Sequence, residues 1–181
     1  QRGETKDLIL IGEALHSRRY ATIADTIFGL RDKVRLVLIA GPSSSGKTTT
    51  SYRISKQLKV LGLQPVILEM DNYFVDREDS PRDENGEYDF ESVHAMDMAF
   101  LNRQLFELLE GKEVEIPFFN FLTGRRFFNG RKIKLEDNQI LIMEGIHALN
   151  PDLTKDIPEE NKFRIYASAL TSLAMDENNR I

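Results

Sequence analysis

With 181 residues and 41% hydrophobic content, the chain can bury one sizeable core, as a single domain with an appendage. A formal net charge of -5, from 24 Lys+Arg against 29 Asp+Glu, excludes attraction of nucleic acid or anionic membrane by bulk charge. Zero cysteines exclude disulfides and thiolate metal sites, no apolar run approaches the ~18 residues of a membrane span, and no signal segment opens the chain, so a cytoplasmic protein is expected, with neither nucleic acid nor membrane as partner.

In chain order, residues 5 to 30 place Leu8, Ile11, Leu15, Ile23, Ile27 and Leu30 at helical spacing, which predicts one or two amphipathic helices. "VRLVLIA" (34 to 40) is too apolar and β-branched for a half-exposed strand and predicts a central parallel strand covered on both faces. Tyr52, Ile54, Leu58 and Leu61 follow on a helix stopped by Gly62. "QPVILEMD" (64 to 71) predicts a second buried strand, beside the first and ending in a carboxylate, and the polar residues 72 to 92 a long loop. Met98, Leu101, Leu105 and Leu108 form another helix, and "VEIPFFNFLTGRRFF" (114 to 128) a hairpin-like insertion turning near Gly124. "QILIMEG" (139 to 145) and "FRIYAS" (163 to 168) complete the strands. Strands alternating with helices predict an open α/β sheet, whose ligands sit at the carboxyl ends of the strands.

Gly41-Pro-Ser43-Ser44-Ser45-Gly46-Lys47-Thr48 matches G-x-x-x-x-G-K-[ST], between a strand and a helix as that motif requires. Small residues let successive backbone N–H groups turn toward phosphate oxygens, and the following helix, whose first turn includes Thr49, adds its positive end. The fold class predicted is therefore a P-loop NTPase: an open parallel sheet flanked by helices, with a hairpin-like insertion. Lys47 is expected to reach the β and γ phosphates of ATP or another NTP, and the Thr48 hydroxyl to bind Mg²⁺.

The other strand ends narrow the chemistry. The base-reading Asn-Lys-x-Asp of guanine-nucleotide proteins is absent, since Asn161-Lys162 runs into Phe163-Arg164, and Asp83-x-x-Gly86 has no strand before it. Asp71, at its strand tip, can accept a proton from a hydroxyl attacking the γ phosphate and can face the metal. Glu144, ending "ILIME", stands where an acid contacts the metal or its water. His147 follows that strand without a spaced partner for a metal, and core packing or a backbone contact is expected of it.

"GPSSSGKTT", "LEMDNYF", "YDFESVHAMD", "IPFFNF" and "LIMEGIHAL", in this order and spacing, resemble the uridine kinase and phosphoribulokinase family of P-loop kinases from about Val34 to Ala169. The resemblance implies an Mg²⁺-dependent kinase with Asp71 as general base on a sugar 5'-hydroxyl, Lys47 on the phosphates, and Glu144 with Thr48 around the metal. It implies a substrate site drawn from Glu91, Asp89, Tyr73, Phe119, Phe121 and Arg126, with Glu91 the first candidate to hold ribose and Asp89 the second. Where uridine kinases carry a base-reading tyrosine and histidine, the aligned residues are Phe119 and Gly124, which puts pyrimidine specificity in doubt. A nucleoside is the expected acceptor, with a sugar phosphate or a non-catalytic nucleotide sensor as alternatives and homo-oligomerisation left open. Residues 1 to 32 are expected to be a helical connector and 33 to 181 the kinase domain. The segment 169 to 181 stops before the arginine-rich lid that the resemblance implies, so a C-terminally incomplete domain is expected, one that binds nucleotide with little turnover.

Overall fold

The computed structural model describes residues 2–168, with side chains from Thr5 onward. The expectation of a missing lid falls on 169–181, outside the described residues.

Helix α1 (Arg2–Gly29) is followed by β1 (Leu36–Ala40), α2 (Lys47–Val60), β2 (Gln64–Glu69), α3 (Met98–Leu109), β3 (Glu113–Asn120), β4 (Arg125–Lys134), β5 (Gln139–Glu144) and β6 (Lys162–Tyr166). Four strands form a parallel sheet in the order β2-β5-β1-β6, while β3 and β4 pair as a separate antiparallel hairpin. The two strands read as adjacent, β1 and β2, are separated by β5. Strand order is set by long-range pairing, and the local pattern of β2 carries no trace of it.

Strand pleating divides the core. On β1, Leu36, Leu38 and Ala40 join one apolar cluster, while Val37 and Ile39 join the other. On β5, Leu141 and Met143 face the first, and Ile140 and Ile142 the second. The first layer is closed by α3 (Leu101, Leu105, Leu108) and the hairpin (Val114, Ile116, Phe119); the second by α2 (Ile54, Leu58) and the end of α1 (Ala24, Ile27). A strand buried on both faces has to be apolar at every position, which is why "LVLIA" shows no alternation.

The first 28-residue element is one continuous helix, and only its C-terminal part is inward-facing. Leu8, Ile11 and Leu15 are 56% to 68% exposed, so their helical spacing does not mark a core face. Residues 70–92 hold a four-residue 3-10 turn at Met70–Tyr73 and a three-residue one at Arg77–Asp79, and a bridge joins Arg82 to Tyr88. This segment returns to the sheet through a bridge between Phe74 and Met96.

Candidate active site

The loop between β1 and α2 is shaped by two backbone demands. A Cβ on Gly41 would lie 2.1 Å from the Ala167 carbonyl oxygen and 2.6 Å from Ser45 Oγ, so only glycine lets β1 turn beside the end of β6. Ser44 and Gly46 both take left-handed conformations, with φ of 57° and 85°, which curl the chain in the manner of anion-binding loops. Helix α2 then starts at Lys47 with no side-chain cap and no acid in its first turn, which leaves its positive end free to meet an anion. The buried Ser45 hydroxyl has no hydrogen-bond partner among the described residues. An uncapped helix start, a curled loop without bulk and an orphan hydroxyl fit a phosphate chain.

Around this cradle stand the carboxylates. Thr48 Oγ1 donates a 2.6 Å hydrogen bond to Glu144 Oε1, tying the first turn of α2 to the end of β5. Glu144 is only 8% exposed. Burial raises its pKa first, the Thr48 bond opposes this, and the charges of Asp71 and Glu69 add to the rise while Lys47 lowers it. Asp71 is not on the strand itself. β2 ends at Glu69, and Asp71 sits in the following 3-10 turn, more open to solvent than Glu144. Its pKa is also raised, by desolvation first, with Lys47 opposing and Glu69 reinforcing. Lys47 Nζ donates 2.8 Å to the Pro42 carbonyl within the loop.

Sequence reasoning missed Glu69, which pairs in register with Glu144 across the sheet. The two acids of "LEMD" are its signal in the sequence. Like charges gathered at two strand ends create a demand for a cation. Among the described residues no group of three or more Asp, Glu, His or Cys side chains is placed to hold a metal ion alone. The donor set of Thr48 and Glu144, hard oxygens beside a phosphate cradle, fits Mg²⁺ shared with nucleotide phosphates, since Mg²⁺ is usually bound through one or two carboxylates plus substrate phosphates.

The remaining candidates separate. Tyr73 is fully buried and its hydroxyl donates 2.8 Å to Gln104 Oε1, so the expectation of a substrate contact is corrected: it is core. Arg126 pairs with Asp97 at 3.0 Å, lies 5.1 Å from the Phe100 ring centroid, and its backbone N–H donates to Asp76; it latches the hairpin onto α3. Phe119 is 7% exposed between Phe74 and Phe121, whereas Phe121 is 59% exposed, so Phe121 is the ring of this pair with a face to offer. The hairpin is held beside the Asp71 turn because Asn72 Oδ1 accepts the Phe119 N–H. Gly124 is packed against the Arg77 side chain, whose guanidinium donates to the Phe121 carbonyl.

Asp89 Oδ1 accepts the N–H groups of Glu91 and Ser92, which shapes the turn that presents the exposed Glu91. His147 Nε2 lies 2.7 Å from the Glu91 carbonyl oxygen, the backbone contact expected of it, and ties this turn to the segment after β5. Glu91 and Asp89 are thereby linked to the strand end that carries Glu144.

Comparison with known proteins follows the same outline. The family model described as Phosphoribulokinase / Uridine kinase family matches residues 36–176. A uridine kinase of Schizosaccharomyces pombe is 35% identical over 133 residues, which are 72% of this chain and 28% of that protein. A uridine kinase of Ligilactobacillus salivarius is 32% identical over 126 residues, 70% of this chain and 57% of that protein. The chain thus spans little more than half the length of the second relative and less of the first. The solved "Possible Uridine Kinase from Bacillus stearothermophilus" superposes with a TM-score of 0.66 at 27% identity, covering 82% of this chain and 79% of that one. With this match over most of its length, on a four-stranded parallel sheet with its cradle at the strand ends, the chain belongs to the phosphoribulokinase / uridine kinase family.

Proposed function

We propose that the protein is a cytoplasmic, Mg²⁺-dependent kinase that transfers the γ-phosphoryl group of ATP or another NTP to the 5'-hydroxyl of a nucleoside. The observation that carries this reading is the 2.6 Å bond from Thr48 to Glu144, which brings the phosphate cradle and a buried acid to one point, with Asp71 and Lys47 coupled to them electrostatically. The uridine kinases it resembles lend the acceptor class.

In this reading the cradle's N–H groups and Lys47 hold the phosphates, and Asp71, at the solvent side of the site, aligns the acceptor hydroxyl and takes its proton. Thr48 and Glu144 would hold Mg²⁺, which would supply charge neutralisation to the nucleotide phosphates. Glu91 receives the ribose hydroxyls, and Phe121 lies against the base. A sugar phosphate as acceptor is the second reading, favoured by one observation: Phe119 and Gly124, where base-reading groups were expected, are filled by packing against Phe74 and Arg77. The test is a panel of nucleosides and sugar phosphates with γ-labelled ATP. Label appearing on a nucleoside 5'-oxygen supports the first reading, label only on a sugar phosphate supports the second, and no transfer to any acceptor overturns both.

A further inference from the structure

Helix α1 joins the core beneath α2 only through its C-terminal part, from Tyr20 through Ile23, Ala24, Ile27 and Phe28. Residues 5–19 stand largely clear of the body: all of them are exposed except Gly12, which is half-buried. A helical stretch of this length, with a glycine near its middle, is marginal in water unless something packs on it. Yet it carries Leu8, Ile11 and Leu15 along one line, each more than half exposed. At 100° per residue this line, which also contains Gly12, falls about 150° round the helix from the face of Tyr20, Ala24 and Ile27, so it looks away from the body of its own chain. Nothing among the described residues covers it.

We infer that this line is covered by the same line of a second copy of the chain, the two α1 helices packing antiparallel about a two-fold axis close to Ile11 and Gly12. Symmetry then sets Leu8 of one copy against Leu15 of the other, and Ile11 against Gly12, which has open space where a side chain would stand and lets the helix axes approach. The charges agree with this pairing. Asp7 and Arg18 lie on one flank of the line, about 20° apart round the helix. Neither is in an ion pair among the described residues. In an antiparallel pair like flanks meet, so Asp7 comes level with residue 16 of the other copy, and Arg18 is two residues, ~3 Å, further along and within reach of its side chain. His16 and Arg19 add positive charge at the same end, while Lys6, beside Asp7, falls on the far side of the helix. A parallel pair would instead set Asp7 against Asp7 and Arg18 against Arg18. The four consecutive apolar residues Leu8 to Ile11 look to all sides of one turn, unlike the single apolar face of a helix lying in a membrane surface, which favours a protein as occupant. Helix α1 lies outside the stretch 36–176 matched to the family, and the inference is independent of the kinase reading.

The test is sedimentation equilibrium of the full chain from about 1 to 200 µM, since an interface of one helix pair is at the small end of specific contacts. A monomer–dimer equilibrium within that range is expected. Leu8→Glu combined with Leu15→Glu is expected to leave only monomer, and because both positions are exposed the fold of the chain is not at stake. Asp7→Arg and Arg18→Asp are each expected to weaken the dimer by about fivefold or more, and an equimolar mixture of the two to recover it, since both pairs are then again of opposite sign. The chain has no cysteine, so introduced thiols report orientation. Leu8→Cys mixed with Leu15→Cys is expected to form a disulfide dimer under mild oxidation, and either variant alone far less, because like positions are ~10 Å apart along the axis, too far for a disulfide. A monomer across the whole range overturns the inference, as does a dimer that survives the double glutamate variant. Cross-links of each cysteine variant with itself but not between the two show a parallel pair and overturn it too. A monomer that sediments with phosphatidylcholine–phosphatidylglycerol vesicles as wild type, but not as the double glutamate variant, gives the face to a membrane and likewise overturns it.

Discussion

In the proposed reading Asp71 and Glu144 carry opposing requirements, since each would have to be ionised to accept a proton or hold a cation, and each sits where ionisation is disfavoured. Both pKa values are raised above their ordinary 3.8 and 4.5 by desolvation and by the charge of neighbouring carboxylates. The sign of the linkage follows: a carboxyl raised in the fold stabilises it fully below the unfolded pKa, and that contribution is lost as pH rises through the folded value. At neutral pH the free protein therefore bears the ionised acids at a loss. Asp71→Asn is expected to raise the melting temperature at pH 7, with the gain shrinking as pH falls toward 4, and to lower phosphoryl transfer by about 10² to 10⁴. A melt series from pH 4 to 8 beside a transfer assay reads both. A variant less stable than wild type at pH 7, or one that turns over normally, would show that Asp71 is an ordinary solvated carboxylate.

At the scale of elements, a few polar contacts hold the hairpin over the site. Asp97 serves two elements at once: Oδ1 caps α3 at the Phe100 N–H, and Oδ2 pairs with Arg126 on β4 at 3.0 Å. Losing the cap costs about 1 kcal/mol and losing a partly buried ion pair up to about 1 more, so Asp97→Ala is expected to lower the melting temperature by about 2 to 8 °C. Asp97→Asn, which can keep the cap, is expected to lose less. Indistinguishable melts for the alanine variant and the wild type would mean that the hairpin is held by its apolar face alone. Such contacts explain what the sequence hid. "QILIME" and "LVLIA" announce themselves as buried strands, and the glycine-serine loop announces its chemistry, because each is decided by residues adjacent in the chain. The family resemblance sets Tyr73 and Arg126 among the substrate candidates, but their observed partners, Gln104 and Asp97, come from α3 and the turn preceding it, 29 to 31 residues away. The order β2-β5-β1 was hidden for the same reason, as was the exposed apolar stripe on α1, whose helical spacing is identical whether or not anything covers it.

On the scale of the whole molecule, the site is a junction rather than an appendage. Its groups come from the end of β1, the start of α2, the turn after β2 and the end of β5, so a ligand that engages them bridges three of the four sheet strands and both core layers. A bridging ligand of this kind opposes global unfolding, and at 100 times its Kd it adds about 2.7 kcal/mol. For a chain of this size that corresponds to a rise in melting temperature of about 5 to 11 °C with saturating Mg·ATP. The components should not act separately. Because no cluster of three metal-ligating side chains exists among the described residues, Mg²⁺ alone has only Thr48 and Glu144 to bind and is expected to shift the melt by little. ATP alone brings its phosphates against Glu69, Asp71 and Glu144 with no cation between, and is expected to shift it less than Mg·ATP does. Lys47→Ala is expected to abolish most of the joint shift while leaving the unliganded melt near that of the wild type, since the partner of Lys47 Nζ among the described residues is the Pro42 carbonyl of its own loop. Differential scanning fluorimetry of both proteins with each component alone and together makes the comparison. A Mg·ATP shift equal to the sum of the separate shifts, or one that survives in Lys47→Ala, would mean that the nucleotide does not bind through the cradle at residues 41 to 48.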